Sequence, residues 1–433
     1  MHFASTRNPQ PQVGFSKALT QGLADDGGLY VPSEWPSYEP SRLEAPENHE
    51  VLASLARELL RPFIAGDALE PELEAMTREA FNFPAPQIWL DSSQRLGVLE
   101  LFHGPTAAFK DFGARFLAAA LTRLRRDASR PLQVLVATSG DTGGAVAAAF
   151  HGHHGIEVSV LYPKGLVSPT QEQQLTCWGG NVRSFAVRGR FDDCQRLVKQ
   201  AFADAALRGR FELTSANSIN LGRLLPQTAY YWAASLRVAR AHGEPASFVI
   251  PSGNLGNATA CVWARKLGAP IAAIVLAHNA NRTVPDYLSE GTLRPRASVA
   301  TLSSAMDVGD PSNLERLSAL YPDAAALRGA VSAVSIDDEA TRGRIRADFA
   351  HYRRVWCPHT AVAAEAYARL APEVRAHGRW LIVATAHPAK FREIVEPLIG
   401  ATLTMPQNLA RLFDRPSSCI EIEATLAALS SSL

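Results

Sequence analysis

The stretch LFHGPTAAFKDFG at residues 101–113 contains one lysine, Lys110, among apolar and small residues. Because a cationic ammonium is costly to bury, this setting should lower the pKa of the lysine and leave a neutral amine that attacks carbonyl groups. Such an amine could form a Schiff base. Taken alone, however, the stretch favours an ordinary lysine at a helix start, with its stem on apolar neighbours, because most lysines carry out no chemistry.

The loop at residues 252–257 follows an apolar strand and opens a predicted helix. Its two glycines allow the backbone N–H groups to converge where the positive end of the helix favours an anion. It lacks the lysine of an NTPase P-loop and the glycine spacing of a dinucleotide site. The loop suits one terminal phosphate of a cofactor, although a plain turn fits equally well. The residues concerned are Ser252, Gly253, Asn254, Leu255, Gly256 and Asn257.

Two other polar turns follow predicted buried strands. Ser139, Gly140 and Thr142 offer hydroxyls and amides that could hold a carboxylate at a helix N-terminus, whereas Asp141 could simply cap that helix. Thr385 stands at the carboxyl end of another strand, where ligands of α/β proteins usually bind. Its neutral hydroxyl would leave a heteroaromatic nitrogen largely unprotonated, although Thr385 could also be a helix cap.

A second anion site is predicted from a group of basic and neutral donors. Asn220 and Arg223 are one helical turn apart and can face the same anion. From the sequence alone, helix caps and solvated charges explain this group at least as well. The other members are Asn217 and Ser218, just before that turn, and Lys164 and Ser168, which lie on a loop after a strand.

Two further groups of reactive residues carry less weight. The histidines at 151, 153 and 154 lack a nearby cysteine or carboxylate, so we predict no metal site there. Cys357 and His359 are two residues apart, a spacing that rarely brings a nucleophile and a base into contact. No G-x-S-x-G pattern supports a serine hydrolase.

The overall composition is that of an ordinary globular protein. The chain has 433 residues, 47% hydrophobic and 20% charged, and a net charge of +1, which favours neither nucleic acid nor an anionic membrane as partner. Its five cysteines are odd in number and lack a CxxC pair, as in reduced cytosolic proteins. We find no secretory signal and no apolar run of membrane-spanning length, and therefore predict a cytoplasmic protein.

The elements that position these residues alternate between strands and helices from about residue 97. This alternation predicts parallel sheets covered by helices on both faces. Residues 1–90 form a separate, loop-rich N-terminal region with short helices and a strand. Two long helices are predicted, at residues 191–207 and 219–241. Composition alone does not show where the two α/β lobes divide.

Nine motifs, in this order and spacing, closely resemble the threonine synthases, pyridoxal-phosphate enzymes of fold type II with the tryptophan synthase β-like fold. The resemblance implies an α/β protein with two parallel-sheet lobes, the cofactor in the cleft between them, and a small N-terminal α+β domain. The implied domains are residues 1–90, a large cofactor-binding lobe at 91–130 and 215–433, and a smaller lobe at 131–214. The motifs are STRN (5–8), DGGLYVP (26–32), HGPTAAFKDFG (103–113), ATSGDTGGA (137–145), SANSIN (215–220), PSGNLGN (251–257), SSAMDVGDPSN (303–313), PHTAVA (358–363) and TAHPAKF (385–391).

The resemblance also implies roles. Lys110 would carry pyridoxal 5'-phosphate, residues 252–257 would hold its phosphate, Thr385 would meet its pyridine nitrogen, and Asp141 would lie near its 3'-oxygen. The substrate carboxylate would meet residues 139–142. The substrate phosphate would lie near Lys164, Ser168, Asn217, Ser218, Asn220 and Arg223. Two departures from the family pattern are Lys164, in YPKGLVSP, and Cys357, where an acidic residue is common.

The implied reaction converts O-phospho-L-homoserine and water to L-threonine and phosphate in a monomer or homodimer. A related cofactor-dependent eliminase, such as a serine or threonine dehydratase or an amino-acid phospho-lyase, would share the lysine and the glycine loop. It would not need the second phosphate site. A non-catalytic relative is a third possibility, against which the intact lysine, both anion loops and Thr385 argue.

Overall fold

Two sheets organise the chain, which we describe from a computed structural model at residues 1–126 and 128–433. The strands are β1 (Phe3–Ser5), β2 (Tyr30–Pro32), β3 (Gln87–Trp89), β4 (Leu96–Glu100), β5 (Leu132–Ala137), β6 (Ile156–Pro163), β7 (Val182–Arg188), β8 (Glu212–Ser215), β9 (Ala246–Pro251), β10 (Ile271–His278), β11 (Ser332–Ser335), β12 (Arg379–Ala384) and β13 (Ile420–Glu423). The larger sheet has the strand order β11-β10-β9-β12-β4-β3, and the smaller one has the order β13-β7-β6-β5-β8.

Helices connect these strands and cover both sheets. They are α1 (Phe15–Gln21), α2 (His49–Ile64), α3 (Leu73–Ala80), α4 (Lys110–Leu124), α5 (Asp141–Phe150), α6 (Pro169–Thr176), α7 (Phe191–Ala203), α8 (Ala205–Arg210), α9 (Leu221–Leu224), α10 (Thr228–His242), α11 (Gly256–Lys266), α12 (Thr283–Glu290), α13 (Leu314–Ser318), α14 (Ala324–Ala330), α15 (Asp338–Tyr352), α16 (Pro358–Ala368), α17 (Pro372–Ala376), α18 (Arg392–Ile399), α19 (Gln407–Phe413) and α20 (Leu426–Ser432). No helix in the described part of the chain is long and apolar enough to cross a membrane.

The strand sequences explain why these sheets are parallel and covered. Every residue of β5, LQVLVA, is buried, as expected for a strand with helices on both faces. All pairs are parallel except β3 with β4 in the larger sheet and the small β1–β2 pair in the N-terminal region. The predicted fold class, with its two parallel-sheet lobes and N-terminal domain, is confirmed.

The structure corrects both long helices predicted from periodicity. The helix predicted at 219–241 is interrupted by a 3-10 turn at Leu225–Gln227, between α9 and α10. Pro226 in that turn has no N–H to continue the helical pattern. The helix predicted at 191–207 is interrupted at Asp204, whose backbone is extended and whose carboxylate accepts the Leu207 N–H (2.8 Å) to cap α8.

The C-terminal strand also departs from the prediction. β13 pairs in parallel with β7, at the edge of the smaller sheet, although we predicted residues 215–433 as part of the larger lobe. This strand therefore lies in the smaller sheet. The predicted domain boundaries near residues 90, 130 and 214 stay predictions.

The topology brings the predicted chemical segments to one place. β4, β9 and β12 are neighbours in the larger sheet, and their carboxyl ends lead to Lys110, the 252–257 loop and Thr385. In the smaller sheet, the neighbours β5 and β8 lead to residues 138–143 and 217–223. Carboxyl ends of parallel strands meet at one edge of a sheet, which is where ligands of such folds bind.

Candidate active site

A cavity lies between the two sheets, at the carboxyl ends of these strands. It is lined by segments from both, including Ala305 and Met306 from the motif at residues 303–313, to which sequence analysis assigned no role. The predicted site residues that line it are Lys110, Ser139, Asp141, Thr142, Asn217, Ser218, Arg223, Ser252, Gly253, Asn254, Leu255, Gly256, Asn257 and Thr385.

Lys110 is the first residue of α4 and lies in a hydrogen-bonded turn. The Asp111 carboxylate accepts the Thr106 N–H (2.9 Å) and its hydroxyl (2.6 Å), and the Phe109 N–H donates to the Thr385 carbonyl (2.9 Å). Burial lowers the pKa of Lys110 to about 8. Asp141 opposes this shift, whereas the positive charge of Arg223 reinforces it. The amine is therefore partly neutral near physiological pH.

A buried ion pair joins the two sheets beside Lys110. The Nζ atom of Lys390, which is 0% exposed, lies 2.7 Å from Oδ1 of Asp141 and 2.9 Å from the Thr106 carbonyl. Gln171 donates a further hydrogen bond to the same Asp141 oxygen (3.0 Å). Burial alone would raise the pKa of Asp141, but Lys390 and then Lys110 outweigh it and hold that pKa far below its usual value. Asp141 is therefore an anion in the cavity wall.

The glycine loop presents a row of unused donors. The N–H groups of residues 253–258 donate to no acceptor within the described ranges of the chain. Leu255 has a left-handed backbone (φ 61°), which turns successive N–H groups toward a common point before α11 begins. A Cβ atom on Gly253 would lie 2.7 Å from the Met306 Cα, so only glycine fits without a shift of backbone.

Side chains behind the glycine loop hold its shape. Asn257 accepts hydrogen bonds from the hydroxyls of Tyr230 (2.6 Å) and Tyr231 (2.8 Å). Asn254 donates to the hydroxyl of Ser218 (3.0 Å), which links the loop to the segment that follows β8. A group bound at the loop would therefore lie close to Ser218.

Thr385 and Arg223 line the cavity, and each has a buried polar atom without a partner among the described residues. The Oγ1 atom of Thr385 is buried, and it has no hydrogen-bond partner among the residues that the structure describes. Arg223 is 2% exposed and donates through Nη1 to the Ala216 carbonyl, while its Nε has no partner in the described ranges. Burial lowers the pKa of Arg223 to about 10, so the side chain remains a cation at neutral pH.

Comparison with known proteins decides the family. Models described as "Pyridoxal-phosphate dependent enzyme", "Threonine synthase N terminus" and "Threonine synthase, C-terminal" match residues 84–386, 2–81 and 360–432. Threonine synthase of Escherichia coli (strain K12) is 40% identical over 429 residues, which cover 99% of this chain and 98% of that protein. The chain belongs to the threonine synthase family.

Solved structures of other threonine synthases have the same fold. The Escherichia coli structure has a TM-score of 0.90 and 39% sequence identity, covering 100% of this chain and 99% of that one. A pyridoxal-phosphate-bound threonine synthase from Brucella melitensis has a TM-score of 0.89 and 33% identity, covering 100% and 98%. The family, the fold and the cofactor inferred from the motifs are thereby confirmed.

The cavity of this threonine synthase family member has donors that fit pyridoxal phosphate. The row of free N–H groups suits a phosphate, and the partly neutral Lys110 amine suits an aldehyde. The Thr385 hydroxyl, which has no partner in the part of the chain that the structure describes, suits a neutral ring nitrogen, because buried hydroxyls normally have a hydrogen-bond partner. The phosphate, the aldehyde and the ring nitrogen of the cofactor therefore each have a suitable group in the cavity wall.

Four predicted substrate-binding residues do not line the cavity. Lys164 is exposed, and its Nζ lies 2.6 Å from Oε1 of Glu421 on the surface. Ser168 caps α6 and Asn220 caps α9, so the side-chain oxygens of both residues accept hydrogen bonds from backbone N–H groups. Gly140 (φ 131°) packs against a glutamine side chain of α6. These predictions rested on helical spacing and on loop positions after strands, which do not reveal where a side chain points.

Two site residues were missed by the sequence analysis. Lys390 lies in the motif TAHPAKF, but lysine is rarely buried and no sequence signal marks it as such. His359 was set aside as a partner for Cys357, yet its imidazole lines the cavity. Cys357 instead caps α16 by accepting the Thr360 N–H (3.4 Å), and it makes no thiol–imidazole pair with His359 in the described part of the chain.

Proposed function

We propose that this chain converts O-phospho-L-homoserine and water to L-threonine and phosphate, using pyridoxal phosphate. The observation that carries the proposal is a low-pKa lysine in a cavity with two anion-binding regions. One is the glycine loop, and the other is formed by Asn217, Ser218 and the cationic Arg223. A cofactor phosphate would use only one of them, so the second fits a phosphorylated substrate.

Several residues would hold the cofactor and the substrate. The N–H groups of the glycine loop would bind the cofactor phosphate, and Thr385 Oγ1 would face the pyridine nitrogen. Asp141 would lie near the 3'-oxygen, and the hydroxyls of Ser139 and Thr142 would bind the substrate carboxylate. When bound, pyridoxal phosphate supplies a ring that stores the negative charge developing at the α-carbon.

Lys110 would anchor the cofactor and then move protons. Its Nζ, with a pKa of about 8, can take the proton from the substrate α-carbon and return it near neutral pH. Arg223 would stabilise charge on the departing phosphate, because a fixed buried cation needs no reorganisation as that charge develops. One water molecule then adds at the β-carbon. Bulk solvent must be excluded so that it causes no side reactions, and the position of the cavity between the sheets favours this exclusion.

The test compares phosphate and ammonia release from O-phospho-L-homoserine, homoserine, serine and threonine. We expect phosphate and L-threonine from the first compound only, with Lys110→Ala inactive. Ammonia released from serine or threonine at a comparable kcat/KM would support a dehydratase and contradict the proposal. A monomeric or homodimeric state and a cytoplasmic location remain predictions alongside this function.

A further inference from the structure

We infer that His359 is a neutral hydrogen-bond donor, which offers its Nδ1 proton to a negatively charged oxygen of a molecule bound in the cavity. This assignment rests on the proposed function, because it names a further group of the same site. His359 would therefore contact the bound molecule and would not act as a base. Nothing in the sequence pattern distinguishes these roles, whereas the structure does.

The position of His359 points the imidazole at the cavity. The residue lies in the first turn of α16, directly after Pro358, and its side chain is only 3% exposed. One flank packs against the Phe391 ring, with 4.9 Å between ring centroids. The side chain lines the cavity together with Ala305. The positive N-terminal end of α16 and the buried imidazole of His359 therefore lie at the same wall of the cavity.

The hydrogen bond to Ala305 determines the tautomer. The backbone N–H of Ala305 can only donate, and it lies 3.0 Å from Nε2 of His359. Nε2 must therefore be the unprotonated nitrogen, which leaves the proton of a neutral imidazole on Nδ1. Nδ1 is buried and has no partner among the described residues. A buried donor without an acceptor is unfavourable, so a bound acceptor would be stabilised there.

Burial keeps the imidazole neutral. Burial lowers the pKa of His359 to about 4; Asp141 opposes this shift, and Lys110 and Lys390 reinforce it. Above about pH 5 the ring is therefore uncharged, with its one lone pair already occupied by Ala305. It cannot accept a substrate proton without breaking that bond, but it can donate to an oxygen whose negative charge is also attracted by the nearby lysines.

Three substitutions separate the two ring nitrogens. His359→Asn places an amide N–H near the position of Nδ1, His359→Gln places one near Nε2, and His359→Leu removes both. We expect kcat/KM for O-phospho-L-homoserine to fall about 100-fold in the Gln and Leu variants and less than about 10-fold in the Asn variant. His278→Gln is the matched control, because His278 is also buried with a lowered pKa but does not line the cavity. We expect it to change kcat/KM less than about 3-fold.

Two further measurements do not depend on turnover. ¹⁵N spectra of histidine-labelled protein, assigned with the Asn variant, should show His359 as the Nδ1–H tautomer between pH 6 and 9. Titration of the apoprotein with pyridoxal phosphate gives the cofactor Kd for each variant. A raised Kd places the acceptor oxygen on the cofactor, whereas an unchanged Kd with a raised KM places it on the substrate; both support the inference.

The inference is overturned if His359 is an Nε2–H tautomer, or if the Gln variant matches the Asn variant in both Kd and kcat/KM. A pH profile that loses its acidic limb in all three variants would instead make His359 a base. If the wild-type protein forms no threonine, the proposed function fails, while the spectra and the cofactor titrations still decide the role of His359.

Discussion

Replacing Lys390 by methionine tests the buried ion pair that joins the two sheets. Methionine has a similar length but no charge, so the change removes the 2.7 Å contact with Asp141 and the hydrogen bond to the Thr106 carbonyl. We expect the free energy of unfolding of the apoprotein to fall by about 3 kcal/mol or more, because Asp141 would remain buried without its partner.

The size of this effect follows from what would still surround Asp141. Breaking a buried ion pair by removing one partner costs about 3 to 5 kcal/mol. The lost hydrogen bond to Thr106 adds about 1 kcal/mol. Gln171 would still donate to the carboxylate, and Lys110 would still attract it. We therefore expect the total loss of unfolding free energy to lie near the lower limit for a broken buried ion pair, at about 3 kcal/mol or more.

A double-mutant cycle in urea isolates the pair. The variants are Lys390→Met, Asp141→Asn and both together, with unfolding followed by tryptophan fluorescence at low and high salt. We expect a coupling free energy of about 2 kcal/mol or more that salt hardly changes, since both side chains are buried. The matched control is the half-exposed pair of Lys164 with Glu421, for which we expect about 0 to 1 kcal/mol.

Additive effects within about 0.5 kcal/mol at Lys390 and Asp141 would refute this reasoning. So would a coupling that disappears at high salt, because it would mean that solvent reaches the pair. Either result would show that the two sheets are held together by other contacts, and that the charge of Asp141 does not depend on Lys390.

Three other predictions concern the cavity. Reaction of the apoprotein with pyridoxal phosphate should accelerate as pH rises, with a midpoint near 8, because only the deprotonated Lys110 amine attacks and its pKa lies below the ordinary 10.5; a midpoint above 10 would contradict this. Gly253→Ala should weaken cofactor binding by about 1 to 3 kcal/mol, since its Cβ would meet backbone at 2.7 Å, whereas Gly343→Ala, at an open position in α15, should leave the cofactor Kd unchanged. Arg223→Gln should raise the KM for O-phospho-L-homoserine at least about 10-fold and leave the cofactor Kd within about 3-fold. The control Lys164→Gln should change neither constant. Equal effects of the two variants on KM would show that Arg223 does not bind the substrate phosphate.

The location of the chemistry could be predicted because each segment follows a buried strand. Apolar runs such as β5 and β12 are evident in the sequence, and polar residues that follow them must lie at the carboxyl edge of a parallel sheet. Thr385 was found in this way, whereas Lys110 was found from its apolar neighbours, and the motif resemblance supplied their order. The segments that line the cavity could therefore be predicted from the sequence.

The direction and burial of individual side chains could not be predicted. Lys390 is a polar residue whose burial depends on Asp141, a residue from the other sheet, and no local pattern records that pairing. His359 gains its fixed tautomer from Ala305, which lies far away in the chain. Lys164 is the opposite case. It was predicted to bind the substrate, but its ammonium group lies on the surface and pairs with Glu421. Tertiary contacts decided all three.

The pairing of β13 with β7 has a consequence for how the chain folds as it is synthesised. Ile420 pairs with Phe185, so this edge of β7 has no strand neighbour within the described ranges until the residues around 420 have been synthesised. An unpaired strand edge is a template for wrong partners, and contacts so distant in sequence form slowly. The smaller sheet therefore depends on its last strand for protection, and a nascent chain that stalls before residue 420 would expose an aggregation-prone edge.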